Sequence, residues 1–291
     1  MSDPQAVLPE KRVTAGNLLV AAAVVAVIQL VALSITSQNL PVYSTLPGPS
    51  YAPAGTSIAG SAVNAVILVA FAFVMTVVLV WLLRRKMVLS FKVLIFGSVA
   101  FSAFVLTLVT ADMFAVNYLP ASFELPVAYG VPALIVAALA YVIFVKNVPW
   151  LGTVMLAFVG AEVGSFFAET LSPWTALALP IAFSVYDIYA VFRGPLKALV
   201  GTAPNIALVG MSIKAGEFTI GLGDVVFYTL LPSLALYQFY PTFGILPAAL
   251  TIAAIDVGTV ITLFLLSKKR LLPGLPIPIL LGVLVIVGFL V

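Results

Sequence analysis

Runs of about 20 apolar residues, the length that crosses a bilayer as a helix, recur nine times along the 291-residue chain. They cover about residues 15–35, 58–83, 88–109, 126–145, 150–168, 172–192, 218–239, 243–267 and 275–291. Most of the breaks between them are short, so no soluble domain fits between the runs. Charged residues make up 8% of the chain. Soluble domains carry roughly 25%, and a water-facing surface cannot be built from so few. The predicted fold class is an all-α polytopic membrane protein with nine transmembrane helices. Lys11 and Arg12 precede the first run, which is too long for the core of a cleavable leader and reads as a span.

The basic residues set the direction. With nine spans and the N-terminus inside, the inner segments hold all 13 lysines and arginines: Lys11, Arg12, Arg84, Arg85, Lys86, Lys92, Lys146, Arg193, Lys197, Lys214, Lys268, Lys269 and Arg270. Lys92, in the first turn of the third span, is expected to snorkel. The outer segments hold Asp112, Glu124 and Glu169 and no positive charge. This is the asymmetry of a cytoplasmic N-terminus and an outer C-terminus, and one span more or fewer would destroy it. Two connections are long: an uncharged outer loop of about residues 36–56, and an inner segment, 193–217, that mixes basic and apolar residues.

There is no histidine and no cysteine. That excludes disulfides, histidine-ligated haem, zinc sites built on histidine, and Ser-His or Cys-His nucleophile pairs. A net charge of +3 does not suggest a nucleic-acid partner. No metal or organic cofactor is expected. Acid–base chemistry falls to carboxylates, lysines, arginines and tyrosines.

Four acids lie within spans: Glu162, Asp187, Asp224 and Asp256. A carboxylate in hydrocarbon is costly, which makes each one a candidate functional group. Asp187 precedes Arg193 by six residues on an inward span, roughly 9 Å from the inner boundary at the helical rise. Asp224 starts the next, outward span, roughly 5–9 Å beyond the same boundary. Two adjacent spans thus carry one aspartate each at similar depth. Two carboxylates in one low-dielectric site do not both ionise; they share a proton, and one can act as base while the other acts as acid. Spacing alone also allows a proton or cation site, or two unrelated neutral acids bonded to helix backbone. Glu162 and Asp256 are expected to be structural, with Asp256 the better placed to tune the pair.

Gly221 and Gly223 leave the backbone before Asp224 open to a close approach, or serve ordinary helix packing. Pro180 and Pro232 either kink their spans or open them near the site. Pro273-Gly274-Leu275-Pro276, followed by Ile277-Pro278, cannot hold a regular helical ladder. Its carbonyls and the Leu275 N–H are expected to be available to an extended substrate strand, unless the motif is simply a rigid turn.

Tyr186-Asp187 on one span, Gly221-Leu222-Gly223-Asp224 on the next and Pro273-Gly274-Leu275-Pro276 before the last resemble the presenilin and signal peptide peptidase family of intramembrane aspartyl proteases. The resemblance covers about Leu171–Val291; the first five spans match by number and direction. It implies that Asp187 and Asp224 are the catalytic pair. It also implies that Tyr186, Gly221, Leu222, Gly223, Pro273, Gly274, Leu275 and Pro276 shape the active site or touch substrate. Gly274 stands where the family usually has Ala, a small-for-small exchange. The inward N-terminus matches presenilins rather than signal peptide peptidases, and the short inner segment matches a microbial, archaeal homologue. The chain then reads as one membrane-embedded unit, 1–291, with spans 1–5 (15–168) as scaffold and spans 6–9 (172–291) as the catalytic part. Its implied partners are transmembrane-helix substrates and the bilayer, with homo-oligomers or accessory membrane subunits left open. The rival reading is a proton- or cation-coupled transporter or a cation leak channel built on the same buried acids.

Overall fold

Nine α-helices and one short hairpin make up the described residues of the computed structural model, which are 14–43, 57–193, 210–268 and 272–290. The helices are α1 (Ala15–Tyr43), α2 (Ile58–Arg84), α3 (Val88–Tyr118), α4 (Glu124–Ala140), α5 (Pro149–Thr170), α6 (Pro173–Phe192), α7 (Leu222–Phe243), α8 (Leu246–Lys268) and α9 (Pro276–Leu290). A π-helical turn, Tyr141–Val145, extends α4. Eight segments are long and apolar enough to cross a membrane, and α9 is a shorter apolar helix of 15 residues. Helices end where their chemistry directs. Ser57 caps α2 by accepting the Gly60 N–H at 3.0 Å, and Pro149 and Pro173 occupy first-turn positions that need no N–H donor.

Three expected boundaries move. α3 runs on through Asp112, and α5 continues to Thr170, so neither Asp112 nor Glu169 lies in an outer loop. Residues 218–221, expected to start the seventh span, instead form β2 (Phe218–Gly221), paired antiparallel with β1 (Ser212–Ala215). The hairpin turns at Gly216, whose positive φ of 61° suits glycine, and it rests on Val20 of α1. The remainder of the inner segment, residues 194–209, lies outside the described residues, as does most of the expected outer loop.

α7 sits at the centre, packed on α5, α8, α1, α9 and α6. Its broadest contact is with α5, and the reason is written in Gly160 and Gly164, one turn apart on α5. A β-carbon on Gly160 would meet Val225 Cγ1 at 2.7 Å. One on Gly164 would collide with Thr229 Oγ1 and approach the Val226 carbonyl oxygen at 2.8 Å. Where lipid removes the hydrophobic drive between helices, such close backbone approach supplies the packing energy. The outer rim shows the converse: Phe71, Phe101 and Leu134 are exposed, as lipid-facing side chains should be.

A proline in mid-helix leaves the carbonyl four residues back without its donor, and at Pro232 the bundle supplies one. Pro232 has no N–H for the Tyr228 carbonyl four residues back. Gln29 of α1, fully buried, donates to that oxygen at 3.2 Å. Pro180 and Pro232 therefore lie within continuous helices and open neither one. Lys92 does not simply snorkel; its ammonium donates to the Ile143 carbonyl in the π turn at 3.0 Å, a favourable cation at a helix C-terminus.

The α5–α7 contact yields a first expected outcome. Gly164→Ala must push α7 away and should cost about 1–3 kcal/mol, by the penalty for overpacking a filled interface. Gly97→Ala, where a β-carbon meets nothing within 4 Å, should leave stability unchanged or raised. Thermal unfolding of the two variants in detergent checks the difference.

Candidate active site

α6 and the start of α7 bring Asp187 and Asp224 within electrostatic reach of each other. Asp224 is the third residue of α7, and Gly221, in extended conformation, is its N-cap. From that position the carboxylate folds back over Gly221 and accepts its backbone N–H. This is the acid half of a capping box, and the positive end of the helix adds to it. A β-carbon on Gly221 would lie 3.3 Å from Asp224 Oδ2, so the glycine leaves room for the fold-back.

The proline-rich segment between α8 and α9 crosses over both aspartates. The Leu275 N–H donates to Asp187 Oδ2 at 3.1 Å. The Gly274 carbonyl accepts the Tyr228 hydroxyl at 2.9 Å. A β-carbon on Gly274 would stand 2.9 Å from Asp224 Oδ2, so an alanine there would have to displace the carboxylate. Gly274 leaves room for that carboxylate, which an alanine would crowd. One expectation is corrected here. The Leu275 N–H is not available to a substrate strand, because Asp187 occupies it, and the Gly274 carbonyl already accepts the Tyr228 hydroxyl.

The other expected site residues divide. Pro276 is the first residue of α9, Pro273 is buried, and Pro278 is pressed against Gly258 of α8, where a β-carbon would lie 2.5 Å from its Cα. Leu222 points at Gly160 and belongs to the α5–α7 contact. Gly223 faces open space. Tyr186 turns away from the pair: its hydroxyl donates to Thr76 of α2 at 3.1 Å and its ring packs edge-on against Phe73 and Phe183.

The remaining acids lie elsewhere. Glu162, 1% exposed, accepts the Thr107 hydroxyl at 2.8 Å across the α3–α5 interface, which fits the expected structural role. Glu169, two turns further along α5 and 5% exposed, faces Thr36 of α1. The sequence reading missed it as a buried acid because it lies just past the end of the apolar run. Asp256 is half-buried on α8, and among the described residues nothing joins it to the pair. Also among the described residues, no three His, Cys, Asp or Glu side chains converge as metal ligands. Gln29 and Tyr228 were missed too. The signal for Gln29 was an amide in the middle of the first span, and for Tyr228 a hydroxyl one turn after Asp224.

A multi-span helical bundle with a carboxylate pair on facing helices, roofed by a proline-broken segment, defines a membrane-embedded protein with an acid–acid site. The presenilin family model matches residues 13–207, well over half of the chain, and the chain belongs to the presenilin family. That match reaches the first five helices, where the sequence resemblance rested only on number and direction. Presenilin-B of Dictyostelium discoideum is 40% identical over 125 residues, 39% of this chain and 25% of that protein. A presenilin homologue of Drosophila melanogaster is 31% identical over 147 residues, 48% of this chain and 26% of that protein. The chain thus spans about a quarter of the length of these relatives. A solved structure of a presenilin family intramembrane aspartate protease superposes with a TM-score of 0.61 at 18% identity, covering 93% of this chain and 97% of that one.

Proposed function

We propose that this chain is an intramembrane aspartyl endopeptidase that hydrolyses peptide bonds in or near transmembrane helices of membrane-protein substrates, with Asp187 and Asp224 as the catalytic pair. The observation that carries the reading is the convergence of the two carboxylates under one peptide unit of the proline-rich segment. A water held between them loses a proton to the ionised member as it attacks the carbonyl carbon. The protonated member gives its proton to the carbonyl oxygen, and collapse of the tetrahedral intermediate returns a proton to the leaving amine. The N-terminus faces the cytoplasm by the distribution of basic residues, which puts the pair on the cytoplasmic side of the bilayer midplane.

A substrate helix must unwind to expose its carbonyl, and each N–H and C=O freed in hydrocarbon costs several kcal/mol unless it is re-paired. Among the described residues, the outer edge of β2 can supply partners for those groups. β1 lies against α5 and α1, and its Lys214 N–H, pointing away from β2, is taken by Thr153 at 3.0 Å. By the alternation of an antiparallel ladder, the backbone groups of Thr219 and the Gly221 carbonyl point away from β1, and the strand runs straight into Asp224. A substrate strand added there lies beside the pair.

The test is incubation of purified protein with a single-span peptide, with and without an aspartyl-protease transition-state analogue. Cleavage that the analogue blocks is the expected result; proton or cation flux in liposomes without cleavage would overturn it. Because one proton is shared, kcat/KM should follow a bell-shaped pH dependence whose two limbs belong to the pair. A flat profile from about pH 4 to pH 9, measured where chemistry limits the rate, would remove the shared proton from the mechanism.

A further inference from the structure

One peptide unit lies between the two halves of the site. The Gly274 carbonyl and the Leu275 N–H belong to the same planar amide, so they point in opposite directions and turn together. Tyr228 holds the oxygen end at 2.9 Å, and Asp187 holds the nitrogen end at 3.1 Å. Gly274 has no β-carbon, so its side of this amide opposes rotation little, while Leu275, a branched residue before Pro276, limits the plane to a partial turn. Even a partial turn would draw the N–H off Asp187 and leave the carboxylate without that donor.

We infer that Tyr228 is a positioning residue that latches the Gly274–Leu275 peptide and so keeps an N–H donor on Asp187; this rests on the protease reading of the pair. The placement is built in. Tyr228 lies four residues after Asp224, on the same face of α7. Its ring is 3% exposed, so the hydroxyl has little freedom to wander. Thr259 of α8 stands beside the hydroxyl as a second polar neighbour. The Tyr228 backbone is fixed in turn by Gln29, which donates to the carbonyl that Pro232 leaves open. The latch therefore ties α1, α7 and the α8–α9 segment to one carboxylate. The Tyr228 hydroxyl is bonded to the amide and acts through it.

The test compares wild type, Tyr228→Phe and a variant carrying p-aminophenylalanine in place of Tyr228, which keeps a donor at the same ring position. Cleavage of a single-span peptide is measured across pH, with Asp187→Asn as the inactive reference. Tyr228→Phe should lower kcat by roughly 10-fold or more, the scale of one lost buried hydrogen bond, and leave KM within about twofold, since the β2 edge is untouched. One limb of its pH profile should move, because the donor facing Asp187 is no longer held. The p-aminophenylalanine variant should recover most of the rate and the wild-type profile. If Tyr228→Phe keeps the wild-type rate and profile while Asp187→Asn is dead, the latch is overturned and the protease reading stands. If Tyr228→Phe unfolds, or loses rate, affinity and thermal stability together, the tyrosine is structural and the inference fails. If wild type does not cleave, or Asp187→Asn does, the protease reading itself falls.

Discussion

Asp187→Asn and Asp224→Asn will each lower cleavage of a single-span peptide by about 10³-fold or more with the helices still folded, since each removes one half of a general acid–base pair. The geometry explains why folding should survive. An asparagine at 187 keeps an oxygen for the Leu275 N–H, and one at 224 keeps an oxygen for the Gly221 N–H at the cap of α7. What neither can do is exchange a proton with water at the bond being cut. The double variant should be no slower than either single one, because the residues act as a unit. Turnover is to be measured beside thermal unfolding in the same detergent. A well-folded single variant with substantial activity would remove the pair from the mechanism.

The second large effect concerns the proline-rich segment. α9 begins at Pro276 because Leu275 is its cap and the ring at 276 sits where no N–H is needed. Changing Pro273 and Pro276 to Ala is not enough to lengthen the helix. Pro278 would still clash with the Gly274 carbonyl in any helix that started one residue earlier. Replacing Pro273, Pro276 and Pro278 together by Ala removes the stop. The Leu275 N–H then enters the helical ladder and leaves Asp187. Cleavage should fall by about 10²-fold, the usual cost of a small misplacement at a reacting centre. The double variant should lose much less. Kinetics unchanged in the triple variant would show that the segment is only a turn. Helix-breaking residues in the substrate should not rescue the triple variant, because the defect lies in the enzyme's own carboxylate and not in substrate unwinding.

The start of α7 shows how far local pattern reaches. Residues 218–221 continue an apolar run and were expected to be helix, yet they pair with 212–215. Hydropathy cannot separate a short buried strand from the first turn of a helix. The two glycines of Gly221-Leu222-Gly223 likewise carry different duties, one making room for Asp224 and one facing open space. No spacing in the sequence distinguishes them.

By itself the sequence made legible an all-α bundle of apolar spans, and from it came the expectations for the side of the basic residues and the depth of Asp187 and Asp224. These depend on length and polarity along the chain, which the bilayer reads one segment at a time. Only the tertiary structure decided which groups answer one another across segments. Pro232 shows in the sequence as a missing N–H, but that Gln29, 203 residues earlier, fills the vacancy is a fact of packing. Glu169 reads as a loop acid until α5 turns it towards α1. The Leu275 N–H reads as free until Asp187 takes it. In hydrocarbon every backbone polar group must find a partner, and at Pro232 and Leu275 that partner comes from another helix.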